Sequence, residues 1–144
     1  MSHCCSNSKK NENVVIRKSP KKQACPVNQQ DYILVLLKTV LHHIKNSWST
    51  NLKEQGYYFC NDSECDVVYF GEDGLVIKTN ALRTQIAIKE KDDNALVCHC
   101  FGISQADAKN NSEIKKFVLQ QTKTGNCSCE TRNPSGRCCL KYFP

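Results

Sequence analysis

The chain has 144 residues, a formal net charge of +6 and eleven cysteines. At roughly 100 to 150 residues per domain, this length allows one domain or two small ones and excludes a large single core. The longest purely apolar run, residues 33–37, is far shorter than the roughly 20 residues that cross a bilayer, so we expect no membrane span.

The first segment, residues 1–22, is predicted to be a disordered basic tail. Residues 1–30 hold six Lys or Arg and one Glu, whereas the remaining 114 residues hold fourteen basic and thirteen acidic side chains. Segments rich in charge and poor in apolar residues bury too little surface to fold. We therefore prefer a solvated tail, and we disfavour the alternative that the tail binds nucleic acid.

An α+β segment is predicted over residues 23–93, and its cysteines are interpreted as zinc ligands. Its pattern predicts a strand from Tyr32 and a short helix over residues 39–46, where apolar residues recur at helical spacing. Residues 57–60 and 65–70 predict a β-hairpin with a cysteine on each side of its polar turn. Further strands are predicted over residues 75–78 and 84–89.

A charged linker, residues 89–94, is predicted to lead into a helical segment, residues 94–144. Ser104 with Asp107 three residues later predicts the capped start of one helix. Ser112 predicts the cap of a second helix. The apolar stripe of that helix, predicted to be plain core, consists of Ile114, Phe117 and Val118. The predicted fold class is thus α+β: a small β-hairpin or ribbon domain followed by a small helical domain.

The dense cysteines are interpreted as metal ligands. The start of the sequence has no apolar stretch of the kind found in secretory signal peptides, so we expect a cytoplasmic chain. In a reducing compartment, closely spaced cysteines indicate metal more often than disulfides. Cys4 and Cys5, on the tail, are interpreted either as a transient site for a soft metal such as Cu(I) or as two exposed thiols.

The first candidate site contains Cys25, Cys60 and Cys65. Two cysteines that bracket a four-residue turn place their sulfurs at one end of a hairpin, and this geometry fits tetrahedral zinc. A fourth ligand is needed, and His42 or His43 is the leading candidate. The alternative is that Cys60 and Cys65 are an inert reduced pair in the core.

The second candidate site draws on six cysteines further along the chain. Four thiolates suffice for a 2Fe-2S cluster, and two cysteines one residue apart can hold one iron. Spacing alone does not exclude a second zinc. The six residues are Cys98, Cys100, Cys127, Cys129, Cys138 and Cys139.

Several of these motifs together resemble a known family. They are Tyr58-Phe59-Cys60, residues 65–70, Lys89-Glu90, residues 97–101 and above all the Asn-Pro-Ser-Gly-Arg-Cys-Cys sequence of residues 133–139. In this order they resemble the amino-terminal module of CopZ-type copper chaperones over about residues 25–140. The second half is similar to the bacterioferritin-associated ferredoxin domain, a small helical 2Fe-2S fold.

The resemblance implies a zinc and a 2Fe-2S cluster as cofactors. It assigns zinc to the first group of cysteines, and the cluster to Cys98, Cys100, Cys129 and one of the last two cysteines. We prefer Cys138 over Cys139 for that last ligand, and Cys129 over Cys127. Two departures stand out: Asn28 occupies the place of the second cysteine of the family's Cys-x-x-Cys, and the separate copper-binding domain with its Met-x-Cys-x-x-Cys loop is absent from the sequence.

The leading functional hypothesis is a cytoplasmic metal-binding redox protein that is not an enzyme. Its 2Fe-2S centre would pass single electrons and reduce Cu(II) to Cu(I), and its partners would be metal ions and a copper-accepting or redox protein. One alternative is a ferredoxin that delivers electrons to another enzyme with no copper role. Another is a zinc-ribbon regulatory or interaction module, for which a strongly salt-dependent affinity for nucleic acid would be the sign.

Overall fold

The structure of the chain, a computed structural model, describes residues 19–143. Most of the predicted tail lies outside these residues, and so do Cys4 and Cys5 with their predicted soft-metal site. The end of the tail segment is structured: Lys22 pairs with Ile33 in a sheet, and the carbonyl of Pro20 accepts a hydrogen bond from Tyr58.

The main sheet is an antiparallel meander whose strands follow one another in chain order. Its central strands are rich in tyrosine, phenylalanine and valine, which suit a pleated and buried surface. All residues of the third and fourth strands are buried. The five strands are β1 (Lys22–Ala24), β2 (Asp31–Val35), β3 (Tyr57–Phe59), β4 (Val67–Gly71) and β5 (Val76–Lys78).

The two faces of this sheet have different roles. Helix α1 (Leu37–His43) covers one face, where Tyr57, Phe59 and Tyr69 join the aliphatic core. Because successive strand residues point to opposite faces, Tyr58 and Phe70 lie on the other face. There they pack against Cys25, Cys60 and Cys65.

The second half of the chain is built from short elements around a smaller core that contains most of its cysteines. A small antiparallel pair, β6 (Leu96–Cys98) and β7 (Ile103–Ser104), precedes the helices. The helices are α2 (Gln105–Asn110), α3 (Ser112–Lys123) and α4 (Cys129–Arg132), and a 3-10 turn follows at Cys139–Tyr142. Within residues 19–143 no helix is both long and apolar enough to cross a membrane.

The helix starts were predicted closely. Ser104 and Asp107 form a capping box, in which each side chain bonds the other residue's backbone N–H. The cap of α3 is Asn111, one residue before the predicted Ser112, and its side chain accepts from the N–H of Glu113. Asparagine and serine are equally good N-caps, so the sequence pattern could not decide whether Asn111 or Ser112 caps the helix.

Two predictions about the fold differ from the structure: one strand and one side chain of a core stripe. The predicted strand over residues 84–89 is a single bridge at Ile86 followed by a turn, in which the N–H groups of Lys89 and Glu90 both donate to the carbonyl of Ile86. Of the predicted core stripe on α3, Val118 is buried but Phe117 is 49% exposed and contacts the ring of Phe101.

The two predicted domains meet at α4. The last carbonyls of a helix lack partners within it. Here side chains of the first half satisfy carbonyls in and after α4: Thr39 Oγ1 donates to the oxygen of Glu130 at 2.8 Å, and Tyr69 donates to that of Pro134. The division at residue 93 stays a prediction, but the segments on its two sides are hydrogen-bonded to each other.

Candidate metal centres

Three buried sulfurs form the first candidate centre. Cys25 follows β1, Cys60 follows β3 and Cys65 precedes β4. The ends of these three strands bring the cysteines to one end of the sheet, although β2 lies between β1 and the β3–β4 hairpin. Their Sγ atoms all lie within 4.8 Å of one another. The structure therefore brings together the three cysteines that the sequence grouped, in a spacing that a single metal ion can span.

Cys60 has the densest set of hydrogen-bond donors in this group. Nδ2 of Asn28 lies 3.3 Å from its sulfur and Nζ of Lys89 lies 3.5 Å away. Burial raises the pKa of the Cys60 thiol, but the N–H of Asp62, the charge of Lys89 and the hydroxyl of Tyr32 together bring that pKa below its ordinary value. The lowered pKa favours the thiolate form of Cys60, which is the form that binds metal.

Lys89 is a buried cation that belongs to this centre. Its Nζ donates to the carbonyl of Asp62 at 2.7 Å and to that of Cys65 at 3.0 Å, besides its contact with the Cys60 sulfur. The residue is only 9% exposed. A buried lysine needs an anionic or polar partner for each donor. Its position offsets the negative charge that several thiolates around one divalent ion leave behind.

The predicted histidine ligands lie elsewhere. Neither His42 nor His43 has a ring nitrogen within the three-sulfur group. Both lie at the end of α1, on the opposite face of the sheet. Nε2 of His43 donates to the carbonyl of Thr131 at 3.1 Å, and burial lowers the pKa of His43 to about 3. The helix direction, which the sequence pattern does not give, takes these rings away from the sulfurs.

Four thiols form the second candidate centre. Cys98, Cys100, Cys129 and Cys139 share one small core, and each thiol interacts electrostatically with two of the others, so that the four form a ring. This ring is wider than the first group, because no three of its sulfurs all lie within 4.8 Å of one another. The Sγ atoms of Cys100 and Cys129 are 3.7 Å apart. Hydrogen bonds from Cys129 and Cys98 lower the pKa of Cys100 to about 2, so the ring readily holds at least one thiolate.

The preferred last ligand, Cys138, is not in this ring. Its side chain is exposed, whereas Cys139 is 1% exposed and contacts both Cys98 and Cys129. Gly136, at a φ of +70°, turns the chain just before these residues, and the 3-10 turn begins at Cys139. The turn geometry therefore brings in the second cysteine of the pair, which the sequence alone could not decide.

The structure distinguishes Cys129, the predicted ligand, from Cys127. Cys129 begins α4 and is buried in the ring, while Cys127 is half-buried and outside it. The backbone N–H of Ser128, between the two, donates to the sulfur of Cys100 at 3.2 Å. This N–H donor stabilises the thiolate form of Cys100.

His99 lies between two cysteines of the ring and has a buried imidazole. Neither of its ring nitrogens has a hydrogen-bond partner among residues 19–143. Buried nitrogens of this kind are normally satisfied. An acceptor carried by a bound group would satisfy its N–H, so the unpartnered ring fits a site built to hold one.

Sequence reasoning missed the residues that surround the sulfurs. Lys89 was assigned to a charged linker, and Asp62 to a polar turn, because nothing local distinguishes a charge that folds inward from one in solvent. Tyr69 was assigned only to a strand. Two signals for Lys89 were available: the apolar residues 86–88 directly before it, and its place in the Lys89-Glu90 motif on which the family resemblance rests.

Three comparisons with known proteins all identify CopZ or its amino-terminal domain as similar to this chain. The family model described as a zinc binding domain, that of CopZ, matches residues 22–83. The copper chaperone CopZ of Archaeoglobus fulgidus is 32% identical over 118 residues, and the chain spans 57% of the length of that relative. The X-ray structure of the Archaeoglobus fulgidus CopZ N-terminal domain superposes with a TM-score of 0.68 at 32% identity, over 85% of this chain and 99% of that one.

Proposed function

The chain belongs to the family of the CopZ amino-terminal, zinc-binding domain, and from this membership we propose that it is a metal-handling protein that acts on copper. In this proposal zinc is held at the three-sulfur group and a 2Fe-2S cluster at the four-thiol ring. The observation that carries it is that seven of the nine described cysteines fall into these two groups.

The four-thiol ring suits a cluster in its number and type of ligands. A 2Fe-2S cluster is bound by four thiolates and exchanges one electron at a time. Cys98, Cys100, Cys129 and Cys139 would be those ligands. The N–H of Ser128 at the Cys100 sulfur is the kind of donor that tunes the reduction potential of such a centre.

Copper is the substrate in this proposal. Reduction of Cu(II) to Cu(I) consumes one electron and no proton, and Cu(I) then prefers soft sulfur ligands. Two described thiols lie outside both groups and could receive it, the exposed Cys138 and the half-buried Cys127. Cys138 is adjacent in sequence to the ring member Cys139. The tail pair Cys4 and Cys5 remains a second proposed acceptor.

A cytoplasmic, non-enzymatic role is part of the same proposal. All nine cysteines of residues 19–143 are free thiols. Thiols this close together persist in a reducing compartment and would be oxidised outside one. Metal ions and a copper-accepting protein are the proposed partners.

A second candidate function, electron delivery to another protein without copper, is favoured by one surface. A groove of about 490 Å³ beside α3 is lined by Lys115, Lys116 and Leu119 and ends at Leu140, next to Cys139. Lys115 beside the exposed Leu119 suits an acidic redox partner, because opposite charges speed encounter, whereas the charge of Lys116 is partly offset by its ion pair with Glu113. The groove would bring that partner close to the thiol ring.

The test of the first proposal is metal analysis of the anaerobically purified chain together with electron paramagnetic resonance after reduction. We expect two irons and one zinc per chain and a visible absorption that dithionite bleaches. A colourless protein that holds only zinc would contradict it. Adding Cu(II) to the reduced protein then separates the two functions, because only copper handling predicts both reoxidation and bound Cu(I).

A further inference from the structure

Asp62 lies beside the three-sulfur group, in the turn between Cys60 and Cys65. Its Oδ2 is 3.3 Å from Nδ2 of Asn28, and the same nitrogen is 3.3 Å from the sulfur of Cys60. One amide group thus joins a carboxylate to a candidate ligand. The carboxylate therefore lies beside the Cys60 sulfur, although its oxygens as placed are outside the group of atoms within 4.8 Å that the three sulfurs form.

Asn28 itself is unsuited to complete the site. Its amide nitrogen, which faces the sulfur, is a donor and has no lone pair for a metal. Its only ligand atom, Oδ1, accepts a 2.9 Å hydrogen bond from the N–H of Gln30. A closed zinc site needs four ligands chosen from cysteine, histidine and carboxylate. Among residues 19–143 the three sulfurs therefore have no fourth ligand within their group, and both predicted histidines lie on the other face of the sheet.

We propose that the carboxylate of Asp62 is the fourth zinc ligand of this chain, so that three sulfurs and one oxygen hold the ion. This inference rests on the proposed zinc site. The Asp62 side chain gives up its hydrogen bonds to Asn28 and to the N–H of Glu64 and turns toward the sulfurs, while Asn28 continues to donate to Cys60.

The backbone of Asp62 is already fixed for this role. Its carbonyl accepts from Nζ of Lys89 at 2.7 Å and from the N–H of Cys65 at 3.2 Å. Its own N–H faces the Cys60 thiol and helps to lower the pKa of that thiol. With the backbone held by these bonds, the movement that the proposal requires is a change of the Asp62 side chain from one staggered rotamer to another.

The charges around the site also suit a carboxylate. Three thiolates and one carboxylate around a divalent ion leave a net charge of −2. Lys89 cancels one of these charges, because its Nζ contacts both the Cys60 sulfur and the Asp62 carbonyl. Water in the fourth position would instead leave the ion open to exchange, as in catalytic zinc sites.

Cobalt(II), a coloured substitute for zinc, tests the proposal through its absorption spectrum. The variants are Asp62→Asn, which keeps an oxygen for the N–H of Glu64 to bond, and the control Glu64→Gln, an equal charge change at an exposed position of the same turn. We expect added thiocyanate to change the spectrum of Asp62→Asn only. A wild-type spectrum that responds as strongly would overturn the proposal, because its fourth position would then be open.

Zinc release to a chelator gives a second readout. We expect release at least about tenfold faster from Asp62→Asn, and unchanged from Glu64→Gln. The variant Asn28→Cys supplies a fourth thiolate, so in that background Asp62→Asn should have no effect, and sulfur-to-cobalt absorbance should rise by about a third as three thiolates become four.

The outcomes separate this inference from the function on which it rests. If Asp62→Asn speeds release equally in both backgrounds, Asp62 only shapes the turn and the proposal is wrong. If wild type and Asp62→Asn hold zinc equally well, the ligand assignment fails while the zinc site stands. If wild type takes up neither zinc nor cobalt, the proposed function fails, and the ligand assignment fails with it.

Discussion

The hydroxyl of Tyr69 donates a 2.5 Å hydrogen bond to the carbonyl oxygen of Pro134. Tyr69 lies in β4, and Pro134 lies in the loop that leads to Cys139. Burial raises the pKa of Tyr69 well above its ordinary value, so the hydroxyl keeps its proton and remains a donor. The sheet that bears the three-sulfur group therefore also holds the segment that completes the thiol ring.

The first prediction is that Tyr69→Phe weakens the cluster site. The change leaves the buried carbonyl of Pro134 without this donor, which typically costs about 1 to 3 kcal/mol of unfolding free energy. We expect the visible absorption of the reconstituted protein to decay several-fold faster in air. Chemical unfolding and the decay of absorbance measure the two effects.

The matched control for this prediction is Tyr58→Phe. Tyr58 is equally buried on the neighbouring strand, and its hydroxyl donates to the carbonyl of Pro20, far from the ring. We expect a smaller loss of unfolding free energy, because Pro20 is exposed and water can replace the donor, and unchanged decay of the visible absorption. Equal decay in both variants would mean that the Tyr69 contact acts only through global stability.

The second prediction concerns the two adjacent cysteines at the end of the chain. Cys139→Ser removes a buried member of the ring, so bound iron and the electron paramagnetic resonance signal of the reduced protein should be lost. Cys138→Ser changes an exposed thiol and should retain both. Iron analysis of the two variants side by side is the measurement, and the reverse pattern would return the ligand role to Cys138.

Much of the architecture was predictable because it depends on local sequence. The hairpin follows from aromatic and β-branched residues on either side of a polar turn, and α2 from its Ser104 capping box. Grouping Cys60 with Cys65 needed only the length of that turn. These features are fixed by residues close together in the chain, where propensity and spacing are informative.

What could not be predicted depends on contacts between distant segments. Lys89 reaches Cys60 across 29 positions, and His43 faces Thr131 across 88. Whether a charged or aromatic side chain points inward depends on how the halves pack, and periodicity does not encode that. Spacing also could not separate Cys138 from Cys139, because only the packed structure shows that the side chain of Cys139 is buried and that of Cys138 is exposed.

The third prediction is that Lys89→Met loosens zinc. The substitution keeps the length of the side chain but removes the cation and the donors to the Asp62 and Cys65 carbonyls. Loss of such supporting groups typically lowers metal affinity by about 10- to 100-fold. Competition with a chromophoric chelator measures the affinity. Lys91→Met, at an exposed position two residues on, is the control and should leave it unchanged.

The fourth prediction is an acid sensitivity caused by His43. Burial is the main cause that lowers its pKa to about 3 in the folded chain, against about 6.5 when unfolded. Below pH 6.5 the unfolded state therefore binds a proton that the folded state does not, and unfolding free energy falls by about 1.4 kcal/mol per pH unit. The fall ends near pH 3, where folded His43 is protonated as well.

His43→Gln should remove this part of the pH dependence while keeping an N–H donor for the carbonyl of Thr131. Between pH 7.5 and 5.5 we expect the wild type to lose about 1.4 kcal/mol more unfolding free energy than the variant, measured by urea titration in the same metal state. His42→Gln is the comparison: burial lowers the pKa of that ring too, but the residue is exposed, so this variant should remove a smaller part of the acid dependence. An unchanged slope in His43→Gln would mean that the His43 ring takes up its proton without unfolding, by leaving its place against α4.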